Sequence, residues 1–407
     1  MKCGLLGRKL GHSYSPQIHD LLADYDYSLF EVEPEALEAF LKSGQFHGIN
    51  VTIPYKKAVI PYLDELSPVA AALGAVNTVV RREDGTLIGH NTDYFGFQSM
   101  VKKSGLQPCG KKALVLGSGG ASVTVKAVLE AMGAEAVVIS RSGENNYSNL
   151  HRHQDAAIIV NTTPVGMYPE TLRSPLDLET FPNLEGVLDI IYNPARTKLL
   201  LDAQNRGLVT MNGLWMLVAQ AKESAEWFTD SPIADDQIAK IHRALKQQME
   251  NIILIGMPGC GKSTVGQELA HRLGHKFVDA DAVVEEQAGL SIPEIFAAEG
   301  EAGFRQKETA VLSQLGKESG TVIATGGGCV TREENLPLLR QNGTIIWLKR
   351  DLALLPTEGR PLSQAGKAEE MYRIRKPLYQ AFADAVVDNT TPAQAVASIL
   401  NILEEQQ

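Results

Sequence analysis

Two apolar runs that each end in a glycine-rich loop predict an α/β fold for this chain. The runs are Lys112-Ala-Leu-Val-Leu116 and Asn251-Ile-Ile-Leu-Ile255, and each loop opens a helical pattern. Ahead of the first loop, strand signals at 27–32, 48–53 and 78–81 alternate with helical patterns at 15–25, 34–43 and 58–67. Such alternation stacks helices on sheets of mostly parallel strands. The expected organisation is an α/β lobe over 1–100, a second α/β lobe over 101–232, a connecting helix over 233–250 and a third α/β domain over 251–407. A helical stretch at 213–228 is expected to return across the first two lobes. An amphipathic helix at 234–250 then runs into the strand at 252–255.

At 407 residues the chain is long enough for two or three domains of roughly 150 residues each. Hydrophobic residues make up 44% and charged residues 21%, the balance of an ordinary soluble protein. No apolar run approaches the ~20 residues that span a bilayer, and the first residues carry no signal-like block. No membrane role and a cytoplasmic location are therefore expected, with the chain a monomer or homodimer. Net charge is −10 without a Lys/Arg block, which argues against nucleic acid as a partner and leaves anionic substrates to local cations. Cys3, Cys109, Cys260 and Cys329 have no metal-ligand spacing and read as free thiols.

The second loop, Gly256-Met-Pro-Gly-Cys-Gly-Lys-Ser263, completes G-x-x-x-x-G-K-S directly after a strand. A P-loop of this kind turns backbone N–H groups, a mobile lysine and a helix N-terminus toward nucleotide phosphates. Gly259, Cys260, Gly261, Lys262, Ser263 and Thr264 are the candidate contacts of ATP or GTP, with Ser263 also a Mg²⁺ ligand. A purely steric turn would explain the glycines but neither Lys262 nor Ser263. Cys260 reads either as a small loop filler or as a thiol activated by the helix N-terminus.

The first loop, Gly117-Ser118-Gly119-Gly120-Ala121-Ser122, is a variant of the Rossmann dinucleotide fingerprint, with serine where its third glycine would stand. The next strand ends in Ser140-Arg141-Ser142, where an NAD-selective site would carry an acid for the ribose hydroxyl. A cation and two hydroxyls suit the 2′-phosphate of NADP instead. The plainer alternative is that Arg141 is a solvated surface residue.

Further segments of the N-terminal part resemble the shikimate dehydrogenase family. They are Gly11-His-Ser13-Tyr-Ser15-Pro-Gln-Ile-His19, Asn50-Val-Thr52-Ile-Pro-Tyr-Lys56, Ala75-Val-Asn77-Thr78, Gly89-His-Asn-Thr-Asp93, Asn161-Thr-Thr-Pro-Val-Gly166, Asp189-Ile-Ile-Tyr192 and Asn212-Gly213-Leu-Trp-Met-Leu-Val-Ala-Gln220. The string covers nearly all of 1–230 in order. The resemblance implies that Ser13, Ser15, Thr52, Asn77, Asp93, Tyr192 and Gln220 line a substrate pocket. It also implies that Lys56 and Asp93 form the catalytic pair, and that Gly213 adjoins NADP. Lys56 suits protonation of an oxygen that gains charge as hydride arrives, and Asp93 would keep it charged and oriented. Taken without the surrounding pattern, Lys56 beside Lys57 would read as a solvated lysine. After the second strand of the dinucleotide lobe, the chain departs from the family's Asn-Arg-Thr pattern and shortens the return.

From Asn251 onward the chain resembles shikimate kinase. Beside the P-loop, the resemblance rests on Phe277-Val-Asp279-Ala-Asp281, Gly303-Phe-Arg305-Gln-Lys-Glu308, Thr325-Gly-Gly327-Gly328, Gly359-Arg360-Pro-Leu362 and Arg373-Ile-Arg375-Lys-Pro-Leu-Tyr379. It implies that Asp279 joins Ser263 in organising Mg²⁺ and that Asp281 orients or deprotonates the accepting hydroxyl. Arg305 and Arg375 would bind the substrate carboxylate, Gly327 and Gly328 would approach its ring hydroxyls, and Arg360 would act from a lid. Pro392 is the implied neighbour of the purine, the lid being shorter than in relatives. Phe296 and Phe304 fit equally a ring contact or core packing.

The two resemblances agree on one intermediate. They imply NADPH-dependent reduction of 3-dehydroshikimate and ATP-dependent phosphorylation of shikimate, small molecules being the expected partners. Two alternatives stand beside this: an NAD-using quinate/shikimate dehydrogenase fused to a kinase, or one half serving as a noncatalytic regulatory module.

Overall fold

The computed structural model describes residues 1–11, 13–355 and 365–405. They fall into two compact units. One comprises Met1–Val165, Ser174–Tyr192 and Asp202–Ala244; the other comprises Gly166–Arg173, Asn193–Leu201 and Leu245–Gln407.

The first unit holds two sheets. Its N-terminal sheet is built from β1 (Lys2–Gly7), β2 (Asp26–Glu31), β3 (Gly48–Val51), β4 (Glu65–Leu66), β5 (Thr78–Arg81) and β6 (Leu87–His90), in the order β2-β1-β3-β5-β6-β4. Between them run α1 (Ser15–Leu22), α2 (Leu37–Lys42), α3 (Tyr55–Ala58) and α4 (Pro68–Leu73). The pairings β1–β2, β1–β3 and β4–β6 are parallel, whereas β5 runs against both β3 and β6. That reversal brings the end of β3, the start of β5 and the end of β6 to one edge. The helix expected at 58–67 is instead α3, a 3-10 turn at Ile60–Tyr62 and β4. Pro61 and Pro68 interrupt the pattern, because proline lacks an N–H and restricts the residue before it.

The second sheet follows α5 (Asp93–Ser104) and contains β7 (Lys112–Leu116), β8 (Glu135–Ile139), β9 (Ile158–Asn161), β10 (Gly186–Asp189) and β11 (Val209–Met211). All its pairings are parallel, in the order β11-β10-β9-β7-β8, with α6 (Gly120–Ala131) and α7 (Lys198–Asn205) as crossovers. The order reverses beside β7, where an open parallel sheet forms a ligand crevice at its carboxyl edge. α8 (Leu214–Thr229) packs on α5 at Gly96, where an added Cβ would stand 2.8 Å from the Met216 carbonyl oxygen. That close approach brings Gln220 toward the end of β6.

In the second unit, α9 (Asp236–Met249), whose first residues belong to the first unit, leads into β12 (Asn251–Ile255). With β13 (Lys276–Asp279), β14 (Thr321–Ala324), β15 (Gly343–Lys349) and β16 (Ala385–Asp388), it forms a parallel sheet ordered β13-β14-β12-β15-β16. The connecting helices are α10 (Lys262–Leu273), α11 (Ala280–Ala288), α12 (Ile292–Leu315), α13 (Asn335–Arg340) and α14 (Ala365–Phe382), and α15 (Pro392–Glu405) follows β16. Past a buried polar residue near each start (Asn251, Thr321, Thr344), the three central strands are apolar inside, from Ile252–Ile255 to Ile345–Leu348, as a sheet covered on both faces requires. Ser291 and Glu294 cap the start of α12 reciprocally, and Gly300, at φ 71°, breaks its course. Phe304 is 4% exposed and stacks on Phe296 at 4.9 Å, so core packing accounts for both rings.

Candidate active sites

At the shared edge of the N-terminal sheet, Lys56 Nζ donates to Asp93 Oδ2 at 2.6 Å. Lys56 is positioned by its neighbour Tyr55, which is 2% exposed and whose hydroxyl donates to the Val32 carbonyl. Its own carbonyl accepts from Val76 N at 2.8 Å, tying the lysine to the Ala75–Thr78 segment. Asp93 opens α5, where the unpaired N–H groups of the first turn favour a carboxylate. Both side chains keep a solvent edge, at 31% and 17% exposure, so substrate can reach them.

Behind the pair lies a buried polar cluster. Asn77 Oδ1 accepts from Thr92 N at 2.7 Å, and its Nδ2 donates to Thr92 Oγ1 at 3.0 Å. Ser224 Oγ stands 2.9 Å from both Thr92 Oγ1 and Thr78 Oγ1, and accepts from Asn50 Nδ2 at 2.8 Å. Gln220 Oε1 is 3.5 Å from Thr92 Oγ1. Ser224 had not been singled out by sequence. The signal available was its place four residues after Gln220, one helical turn on the same face.

Ser13 and Ser15 are half-buried at the start of α1, with Ser15 N donating to Ser13 Oγ at 3.2 Å; His12 lies outside the described residues. Thr52 follows β3, its N–H bonded to the Leu6 carbonyl at 2.9 Å. The Tyr192 ring meets Tyr14 edge-on at 6.2 Å, and burial pushes its phenol pKa up, so it serves as a neutral hydrogen-bonding group. The N-terminal lobe thus gathers Asn77, Thr92, Ser224 and Gln220 in one network beside the Lys56–Asp93 pair, and Ser15 reaches it through Tyr27, whose hydroxyl donates to Asn50 Oδ1 at 2.7 Å.

In the dinucleotide lobe, Gly117 has φ 107°, and Gly119 caps α6 with Ser118, Gly119 and Gly120 exposed and Ala121 half-buried. Ser122 Oγ donates back to the Gly119 carbonyl at 2.6 Å, closing the turn where the fingerprint's third glycine would stand. Ser140 Oγ donates to the Ser142 carbonyl at 2.7 Å, while Arg141 is exposed beyond β8. The shortened loop behind them is held by its asparagines, such as Asn149 Nδ2 to the Glu144 carbonyl at 2.7 Å. Gly213 caps α8 against the Ile190 carbonyl, which leaves no room for a side chain. An open glycine turn ahead of a helix, with an exposed guanidinium past the neighbouring strand, fits a phosphorylated dinucleotide.

In the C-terminal unit the P-loop has the left-handed glycines Gly256 (φ 143°), Gly259 (φ 82°) and Gly261 (φ 96°). Lys262 is 8% exposed and donates to the carbonyls of Gly256 and Met257 at 3.0 and 3.1 Å. Ser263 and Thr264 are exposed on the first turn of α10, and Cys260 is fully buried, the position of a loop filler. Ser263 Oγ donates to Asp279 Oδ2 at 2.7 Å. A hydroxyl and a carboxylate so placed are hard oxygen donors that suit Mg²⁺, which takes its remaining ligands from phosphate and water. Among the described residues no group of three or more His, Cys, Asp or Glu side chains could hold a metal alone.

Asp279 also caps α11 by accepting from Asp281 N at 3.1 Å, which aims Asp281 at the triple glycine. Burial, and then the charge of Glu308, raise the Asp281 carboxyl to about 6, and its Oδ1 is enclosed without a hydrogen-bond partner among the described residues. Arg305 donates to Glu308 Oε2 at 2.7 Å and to Glu301 at 3.3 Å. Arg375 and Tyr379 both donate to the Gly327 carbonyl, at 3.0 and 2.5 Å. Asp281, Arg305, Arg375, Gly327 and Gly328 thereby meet in one place. A Cβ on Gly328 would enter the Arg305 guanidinium. Gly328→Ala is therefore expected to raise the KM of a carboxylate substrate by about tenfold or more, through a displaced bidentate donor. Steady-state kinetics at saturating ATP checks this. Pro392 is exposed at the start of α15, and Arg360 lies outside the described residues.

A two-lobed dinucleotide fold with a lysine–aspartate pair, joined to a P-loop phosphotransfer fold, is the class that these sites define. Residues 5–79 match the model of the shikimate dehydrogenase substrate binding domain, and residues 258–404 match the model of shikimate kinase. A shikimate dehydrogenase (NADP(+)) of Clostridium perfringens is 36% identical over 265 residues, covering 60% of this chain and 97% of the relative. The crystal structure of shikimate dehydrogenase 1 from Peptoclostridium difficile is 38% identical, with a TM-score of 0.55 over 60% of this chain and 97% of that one. Shikimate 5-dehydrogenase of Thermus thermophilus, solved with NADP(H) and shikimate, is 32% identical with a TM-score of 0.55, covering 60% of this chain and 99% of that one. The chain belongs to the shikimate dehydrogenase family in its N-terminal part and carries a shikimate kinase domain in its C-terminal part. Among the described residues no helix is long and apolar enough to cross a membrane.

Proposed function

We propose that this chain carries out two consecutive reactions: NADPH-dependent reduction of 3-dehydroshikimate to shikimate, and ATP-dependent phosphorylation of the shikimate 3-hydroxyl. The observation that carries the reading is the Lys56–Asp93 pair at 2.6 Å, in a chain that also bears a shikimate kinase domain. The product of the first reaction is the substrate of the second.

When bound, NADPH supplies the hydride. Lys56 Nζ gives its proton to the carbonyl oxygen as hydride reaches the carbon, so that the C=O π pair ends in the new O–H bond. Asp93 holds the ammonium charged and aimed until then, and Asn77 and Gln220 offer bonds to ring hydroxyls. In the kinase domain, Arg305 and Arg375 receive the carboxylate. Asp281 Oδ1 accepts the proton of the attacking hydroxyl and Lys262 neutralises charge on the transferred phosphoryl group; Ser263 with Asp279 would hold Mg²⁺, which would supply further charge neutralisation. Each of these groups needs its charge more than any covalent role.

The test follows NADPH oxidation with 3-dehydroshikimate, with and without ATP, and identifies the products. Shikimate alone without ATP, and shikimate 3-phosphate with it, is the expected result. Failure of either product removes that half of the reading. Arg141 is expected to favour NADPH over NADH, since a guanidinium can fork onto a 2′-phosphate. An unchanged ratio of kcat/KM for the two cofactors in Arg141→Ala would exclude that role.

A further inference from the structure

The carboxyl ends of β15 and β16 place a further cation beside the P-loop. Lys349 pairs with Asp388 in the sheet, and Asn389 N bonds to the Lys349 carbonyl at 2.6 Å, so Arg350 and Asn389 leave the sheet side by side. Asn389 is 2% exposed and donates from Nδ2 to the Cys260 carbonyl at 2.7 Å, inside the loop itself. A Cβ built on Gly261 would meet Asn389 Nδ2 at 2.5 Å and a terminal nitrogen of Arg350 at 3.8 Å. The Arg350 guanidinium therefore stands against the glycine that precedes Lys262.

Two polar atoms at this spot lack partners. Arg350 Nε and Asn389 Oδ1 are both enclosed without a hydrogen bond among the described residues, and no carboxylate there pairs with Arg350. A charged guanidinium held near a ring of backbone N–H groups, with no anion of the described chain beside it, calls for an anionic ligand. Gly261 lies in the segment that cradles phosphate, so the ligand of matching chemistry is the phosphate chain of a nucleotide.

We propose that Arg350 is a nucleotide-binding residue of the kinase domain, its guanidinium contacting the nucleotide's phosphate chain beside Gly261. The proposal rests on the kinase reading above and deepens it. Asn389 has a supporting part: by anchoring the Cys260 carbonyl it fixes the loop against which Arg350 is set.

The experiment compares Arg350→Ala, Arg350→Lys and Arg350→Met in the full chain. ADP binding with Mg²⁺ is measured directly by calorimetry at two salt concentrations, alongside KM for ATP and for shikimate. Dehydrogenase turnover of each preparation normalises for folded protein. Loss of a charged hydrogen bond is expected to weaken ADP binding by about 10- to 100-fold in the Ala and Met variants. The Lys variant should recover part of this, and the salt dependence should flatten where the cation is gone. KM for ATP should rise while KM for shikimate stays within about twofold, as uniform binding to the nucleotide alone requires. ADP affinity unchanged in Arg350→Met would overturn the proposal, since methionine keeps the packing and removes the charge. A wild-type chain that binds ADP but fails to phosphorylate shikimate would sink the functional reading instead, and the ADP comparison would still decide Arg350.

Discussion

Replacing Lys56 by alanine is expected to slow reduction of 3-dehydroshikimate by about 10²- to 10⁴-fold, the usual contribution of a positioned general acid. The reason is geometric as well as chemical. Nζ lies 2.6 Å from Asp93 at the one edge where β3, β5 and β6 meet, and the substituted chain would leave the Asp93 carboxylate unpaired facing a growing oxyanion. Proton donor and charge balance are lost together. ATP-dependent phosphorylation of added shikimate should continue at the wild-type rate, because the proposed kinase residues Lys262, Asp281, Arg305 and Arg375 are untouched. Parallel assays of both reactions on one preparation provide the check. Near-normal reduction by the alanine variant would remove Lys56 from the chemistry.

Much of this arrangement was legible because its parts are local. A P-loop fixes its own shape within a few residues, and Lys262 with Ser263 is recognisable at that spacing alone. The strand at 78–81 and the glycine turn after β7 were read the same way. What escaped was set by chain reversal and distance. β5 and β6 are antiparallel because Asp84 and Gly85 make a tight turn, with Thr86 N on Asp84 Oδ1 at 2.9 Å and Gly85 at φ 92°. A connection so short cannot cross over to a parallel strand, and Asp-Gly was a usable hairpin signal. Ser224 offered only its spacing from Gln220, for another reason. Its partners Asn50, Thr78 and Thr92 are remote in sequence, and a serine inside a helix has no motif to announce it. Arg375 was named from the sequence, but its bond to the Gly327 carbonyl was not legible, since α13 and β15 lie between the two in the chain.

Asp281→Asn is expected to abolish most phosphorylation while making the kinase domain harder to unfold at neutral pH. In the proposed mechanism this carboxylate accepts the hydroxyl proton, so its loss should cost about 10²- to 10⁴-fold in rate. The stability effect has the opposite sign. Burial and the Glu308 charge raise this carboxyl from 3.8 to about 6, so between those values the folded chain holds a proton that the unfolded chain has released. Its contribution to stability is full below the unfolded pKa and is lost as pH rises through about 6. At pH 8 the ionised group is therefore a liability on the order of 1–3 kcal/mol, which an uncharged amide of similar shape avoids. At pH 4 the two chains should differ little. Hydrogen exchange of the β12, β14 and β15 amides reads this domain separately from the rest of the chain, and should show the variant better protected than the wild type at pH 8 but not at pH 4, once intrinsic rates are removed. For the wild type, kcat for phosphorylation should fall as pH drops below about 6, following protonation of the same carboxyl. Equal protection of the two chains at both pH values would mean that Asp281 is not held at a cost in the fold. Phosphorylation near the wild-type rate by the asparagine variant would mean that another group takes the proton.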